Sequence, residues 1–108
     1  MTEPTHLHPR HRVDEVLTAP VRLSIVAALS RVDEVEFAFL RDSIEISDSQ
    51  LSKQASQLEQ VGYVAVRKGH VGKRPRTWLS VTEEGRVALR WHLAALQAIV
   101  DGDAAPHE

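Results

Sequence analysis

The sequence predicts a mainly α domain that carries one small β-hairpin. Three observations lead there. Apolar residues recur at helical spacing on both sides of a central segment, that segment holds two short alternating stretches, and glycine and proline separate the two stretches. The expected order is helix, helix, helix, strand, basic loop, strand, helix.

Within residues 10–17, Val13, Val16 and Leu17 make a short amphipathic turn. Pro20 then suits a helix start, where its missing N–H costs nothing. Val21, Ile25, Ala28 and Leu29 follow at the spacing of one buried helical face. A further short helix fits about 34–43, anchored by Phe37 and Leu40. The clearest segment is 47–62, SDSQLSKQASQLEQVG. Ser47 and Gln50 have capping-box spacing, Leu51, Ala55, Leu58 and Val61 form the inward stripe, and Gly62 ends it. Its outward face carries Ser49, Gln50, Lys53, Gln54 and Gln57.

Two strands come next, Tyr63–Arg67 and Thr77–Thr82, around a long exposed tip with Gly69, Gly72 and Pro75 as turn residues. Pro75, lacking an N–H, is expected outside the hydrogen-bonded ladder. The last helix should span about 82–100, capped by Thr82 with Glu83 and Glu84 at its positive end. It shows two apolar stripes, Leu89, Leu93, Leu96, Val100 and Val87, Trp91, Ala94, Ala98. One stripe suffices for a surface helix, so the second implies a partner helix. Trp91 belongs to that seam or to the core.

The 108 residues suit one domain, read as 10–100, between a loose arm (1–9) and a tail (101–108). The absence of cysteine excludes disulfides, thiolate metal sites and a cysteine nucleophile. No apolar run approaches the roughly 18 residues of a membrane span, and MTEPTHLHPRHR lacks the apolar stretch of a signal peptide. The expectation is a cytoplasmic protein without membrane partners. His6, His8 and His11 cluster in the arm, but a flexible segment is no preformed site, and no metal or cofactor is expected. His92 either pairs across a dimer or is solvated. No phosphate-binding glycine loop, nucleophile elbow or facing carboxylate pair is present, so no enzyme is expected.

Charge is strongly polarised. Residues 47–76 hold six Lys/Arg against two acids, although the whole chain has formal net charge −2. Arg67, Lys68, Lys73, Arg74 and Arg76, with His70 among them, gather at the hairpin. Such a basic patch on an otherwise acidic molecule fits a polyanionic partner, above all double-stranded DNA.

Three stretches, LTAPVRLSIVAAL (17–29), SQLSKQASQLEQVGYV (49–64) and KGHVGKRPRTWLSVTEEGR (68–86), together resemble the small winged helix-turn-helix transcriptional regulators related to MarR and ArsR repressors. The resemblance covers roughly residues 10–100. It implies that 47–61 is the recognition helix, with Ser49, Gln50, Lys53, Gln54 and Gln57 toward DNA. The hairpin becomes the wing, with Arg67, Lys68, His70, Lys73, Arg74 and Arg76 on phosphate or minor groove. The terminal helices become a homodimer interface built from Val13, Val16, Leu89, Trp91, Leu93, Leu96 and Val100. A homodimeric repressor on an inverted-repeat operator is the implied function, with an unknown small-molecule effector as a further partner. Two other readings remain: a winged helix that binds protein, and a repressor released from DNA by a ligand or metal.

Overall fold

The computed structural model describes residues 7–102. A 3-10 turn, Pro9–Arg12, leads into α1 (Glu15–Thr18) and α2 (Pro20–Leu29). Then come β1 (Val35–Glu36), α3 (Phe37–Ser43), α4 (Asp48–Gln60), β2 (Val64–Val71), β3 (Arg74–Val81) and α5 (Glu83–Asp101). The strands form an antiparallel sheet in the order β1-β3-β2.

The helix ends follow the sequence signals. Asp14 caps α1 by accepting from the Val16 and Leu17 N–H groups. The Gln50 N–H donates to Ser47 Oγ at 3.1 Å and starts α4. At the far end the Tyr63 N–H reaches the Leu58 carbonyl and the Gly62 N–H the Glu59 carbonyl, the paired bonds of a glycine-stopped helix. Thr82 does two jobs. Its Oγ accepts from the Gly85 N–H at 3.0 Å, and its hydroxyl donates to the Gly62 carbonyl at 2.6 Å. The start of α5 is thereby fixed to the end of α4.

One core serves the whole domain. Leu17, Ile25, Val26, Leu29, Leu40, Leu51, Leu58, Val64 and Leu79 are fully or almost fully buried, so α2, α3, α4 and the sheet close on one another. α5 lies across this core with Gly85, Leu89, His92, Ala95 and Ala98 inward. Gly85 permits the approach. A Cβ there would fall against the Tyr63 carbonyl oxygen and within 2.8 Å of Val81 Cγ2.

Several expectations are corrected. Val35–Glu36 is a strand rather than the start of a helix, pairing with Leu79 and Trp78, and α3 begins only at Phe37. The hairpin tip is short: β2 and β3 pair from Val64↔Val81 to Val71↔Arg74, leaving Gly72 and Lys73 as the turn. Gly72 at φ 63 supplies the positive φ that a two-residue turn of this kind needs at its first position. Gly69 is therefore a strand residue, beside the Trp78 ring. Pro75 lies inside β3, opposite His70. The reason is register. Val71 and Arg74 close the turn as a hydrogen-bonded pair, and pairs alternate along an antiparallel ladder. His70–Pro75 is then a non-hydrogen-bonded pair, and the proline nitrogen faces the open side of β3, beyond the two residues that β1 covers.

At the N-terminus, Pro9 is buried and the 3-10 turn packs on α5, although the sequence placed residue 9 in a loose arm. The rest of that arm, apart from Leu7 and His8, lies outside the described residues, as does the tail beyond Gly102. His92 is neither solvated nor at a seam. It is 2% exposed, and its Nδ1 accepts the Asp14 N–H at 3.0 Å, joining α5 to the cap of α1. Asp14 also accepts the Tyr63 hydroxyl at 2.5 Å through Oδ2. Burial and this carboxylate push the Tyr63 hydroxyl up to about 12, with the charge of Glu84 adding to the effect.

Candidate nucleic-acid interface

α3 and α4 form a helix-turn-helix through residues 44–47. The turn contains Glu45 at φ 59, a left-handed conformation uncommon outside glycine, asparagine and aspartate. Arg41 braces it, its Nε meeting Asp42 at 2.8 Å and its guanidinium meeting Asp48 at 2.7 Å across the turn. The Arg41 hydrogen bond holds the Asp42 carboxyl below the usual carboxylate range.

α4 buries Leu51, Ala55 and Leu58 and leaves its opposite side open. Ser49, Gln50, Lys53 and Gln57 are exposed and Gln54 is half-buried, so all five expected recognition residues lie off the core. Ser52 and Ser56 are exposed as well and line a groove of about 460 Å³ between α4 and the wing. Asp48, Glu59, Lys68 and Thr77 complete its polar rim over a floor that includes Phe37, Val66 and Leu79.

The wing's cations divide into two groups. Arg67 forms a two-pronged ion pair with Glu34, at 2.9 and 2.7 Å, and its guanidinium carbon lies 4.1 Å from the Trp78 ring centroid. Its hydrogen bond lowers the Glu34 carboxyl, and Glu34 in turn raises Arg67. Arg76 contacts Glu36 at 3.3 Å, while its Nε is buried without a hydrogen-bond partner among the described residues. Lys68, Lys73 and Arg74 have no ion-pair partner among the described residues, and all three are exposed, as is His70. The wing's free positive charge therefore sits at the hairpin end, on Lys73 and Arg74, and beside α4, on Lys68. Sequence spacing missed this division because Glu34 and Glu36 reach the wing only through β1 pairing.

Sequence reasoning also missed Arg22 on α2. Its Nε donates to the Val16 carbonyl at 2.7 Å, and one terminal nitrogen donates to both Gln54 Oε1 at 3.1 Å and Gln57 Oε1 at 3.2 Å. A lone arginine in an amphipathic helix gives no sign that it will reach a helix 32 residues away.

The expected interface residues are split by the fold. Leu89 is in the core, Val16 packs against the core, and Val13 and Leu96 are half-buried. Trp91, Leu93 and Val100 are exposed at 67%, 48% and 78%, with Ile99 beside them on α5 and Leu7 open at the N-terminus. Among the described residues no cluster of three His, Asp or Glu side chains is placed to hold a metal, and His6 lies outside them. The His8 Nδ1 accepts the Arg10 N–H at the start of the 3-10 turn, and His11 is exposed. No helix among the described residues is long and apolar enough to cross a membrane.

A helix-turn-helix followed by a cationic hairpin is the arrangement of a DNA-binding regulator. The chain belongs to the winged helix DNA-binding domain family, whose model matches residues 21–100. It is similar to the uncharacterized protein MJ0432 of Methanocaldococcus jannaschii, with 29% identity over 76 residues that cover 70% of this chain and 83% of that protein. It is also similar to the solved transcriptional regulator homologue of Pyrococcus horikoshii. There the TM-score is 0.76 at 27% identity, covering 85% of this chain and 91% of the other. The PcaV transcriptional regulator of Streptomyces coelicolor, solved with its natural ligand, shares the fold at TM-score 0.67 and 18% identity. That match covers 95% of this chain and 72% of PcaV. The protein is a winged-helix, DNA-binding transcriptional regulator.

Proposed function

We propose that the protein is a homodimeric, sequence-specific repressor of an inverted-repeat operator, acting by occupying DNA and without catalysis. The observation that carries this reading is the groove in which Ser52 and Ser56 of α4 meet Lys68 of β2, with the unpaired Lys73 and Arg74 farther out on the same hairpin. α4 enters the major groove, where the glutamines meet base edges and Lys53 and the serines meet phosphate. The wing lies along the flanking backbone or minor groove. Arg67 and Arg76 hold the wing's shape, through Glu34 and Glu36, while the three free cations and Lys53 supply the phosphate affinity.

The apolar side chains that α5 leaves open, Trp91 on one side and Leu93 and Val100 on the other, support a dimer, because exposed apolar surface of this kind marks an interaction site. A dimer sets two α4 helices about one DNA turn apart, which calls for half-sites at about 10 base-pair spacing. Selection from randomised duplexes tests the reading. An enriched inverted repeat is expected, and enrichment of a single unrepeated site would overturn the dimeric part.

Release by an effector is a second reading. The groove between α4 and the wing favours it, since a molecule seated beside Ser52, Ser56 and Lys68 would displace DNA, and the similar fold of PcaV holds a ligand. Candidate effectors would weaken operator binding in a competition titration.

A further inference from the structure

We propose that Arg22 is a positioning residue for base recognition, which fixes Gln54 and Gln57 so that both present their NH2 donors, in preference to their oxygens, to the major groove. This rests on the reading of α4 as the recognition helix.

An arginine guanidinium only donates, and it does so at every accessible pH. A glutamine amide has one acceptor oxygen and one donor NH2, and the orientation between them is normally ambiguous. Beside Arg22 the ambiguity is removed. One terminal nitrogen supplies its two hydrogens to Gln54 Oε1 and Gln57 Oε1, at 3.1 and 3.2 Å. Each amide must turn its oxygen toward Arg22 and its NH2 away. Arg22 is itself held, because its Nε donates to the Val16 carbonyl at 2.7 Å at the end of α1. Gln54 and Gln57 are three apart on α4 and so share a face.

The consequence concerns specificity. A free glutamine reads adenine with both its groups, donating to N7 and accepting from the N6 amine. A glutamine whose oxygen is drawn toward Arg22 keeps one lone pair, but that oxygen is no longer free to turn to the base edge, so it accepts from N6 less readily than a free glutamine. It can donate to guanine O6 and N7 or to thymine O4. The helix is thus set to read acceptor edges at two base positions, by a residue on another helix that need not touch DNA.

The test is site selection from randomised duplexes with the wild-type protein, Gln54→Ala, Gln57→Ala, Arg22→Met and Arg22→Lys. Thermal unfolding checks each variant for folding, and affinity for random-sequence duplex is measured separately. In the wild type, the positions whose preference disappears in the two glutamine variants should select guanine or thymine. In Arg22→Met those positions should admit adenine, with discrimination against it falling about tenfold or more. Arg22→Lys, which keeps the charge, should retain random-duplex affinity within about twofold. Adenine selected by the wild type at either position overturns the inference, whether or not the Arg22 variants fold. So do unchanged preferences in a folded Arg22→Met protein. Failure of the wild type to bind any duplex would instead remove the proposed function itself.

Discussion

Arg67 lies over the Trp78 ring, its guanidinium carbon 4.1 Å from the centroid, while its fork grips Glu34. An arginine held on both sides is a structural part of the sheet. Its positive charge is largely cancelled before any nucleic acid arrives. The wing's two classes of cation should therefore separate on mutation. Lys73→Ala with Arg74→Ala should reduce the log–log salt slope of DNA binding by up to about 2 per protomer, since each phosphate contact contributes about one unit. Arg67→Ala should leave that slope nearly unchanged and lower the melting temperature. A slope loss as large for Arg67→Ala as for Arg74→Ala would contradict the division.

Tyr63 is the only tyrosine in the chain, so its ionisation can be followed alone by ultraviolet absorbance. Burial and the Asp14 carboxylate push it up to about 12, above the ordinary value near 10. Between those values the unfolded chain releases the proton while the folded chain retains it. Stability conferred by the protonated hydroxyl is therefore full below about pH 10 and falls as pH rises toward 12. Tyr63→Phe should lose about 1–2 kcal/mol at neutral pH, because it removes a hydrogen bond to a charged acceptor. It should also show a flatter decline in melting temperature from pH 10 to 12. An absorbance midpoint near 10 in the folded wild type would contradict the buried arrangement.

Gly85 sets two effects against each other. Alanine in a helix is ordinarily better than glycine by about 0.5–1 kcal/mol. Here the added methyl group meets the Tyr63 backbone carbonyl and Val81, which have little room to move. Overpacking of this kind costs about 1–3 kcal/mol, so it should win. Gly85→Ala is expected to lower stability in chemical denaturation; a gain would mean that α5 moves away from β2 without penalty.

Trp91 is the largest of the apolar side chains that α5 leaves open, at 67% exposure. Trp91→Glu places a charge where a second copy should dock. Sedimentation should show a dimer for the wild type and a monomer for the variant, with little change in melting temperature at low protein concentration. A wild-type monomer at tens of micromolar would remove the dimer from the proposal.

The sequence exposed most of the fold because its signals were local. Ser47, Thr82 and Gly62 sit where caps and stops belong, and all three act so. Of the stripe Leu51, Ala55, Leu58 and Val61, the first three are buried as their period demands, while Val61, past the last turn of α4, is exposed. What remained hidden depended on distant partners. β1 is two residues long and exists only because β3 offers Trp78 and Leu79 as pairing partners. His92 looked like a surface residue until Asp14, 78 positions earlier, supplied its hydrogen bond. The wing's charge was legible as a patch, but its cancellation by Glu34 and Glu36 required the sheet. Arg22 was hidden for the same reason, its glutamine partners being set by helix packing.

The central claim is that the free cations of α4 and the wing bind the phosphate backbone. Fluorescence anisotropy of the protein on labelled random-sequence duplex, titrated across salt, tests it most directly. With Lys53, Lys68, Lys73 and Arg74 each neutralising one phosphate, a dimer should show a log–log slope of up to about 7. Binding should be steeply weakened by salt, and Lys73→Ala with Arg74→Ala should flatten it. Absence of binding at low salt, or binding indifferent to salt, would contradict the account.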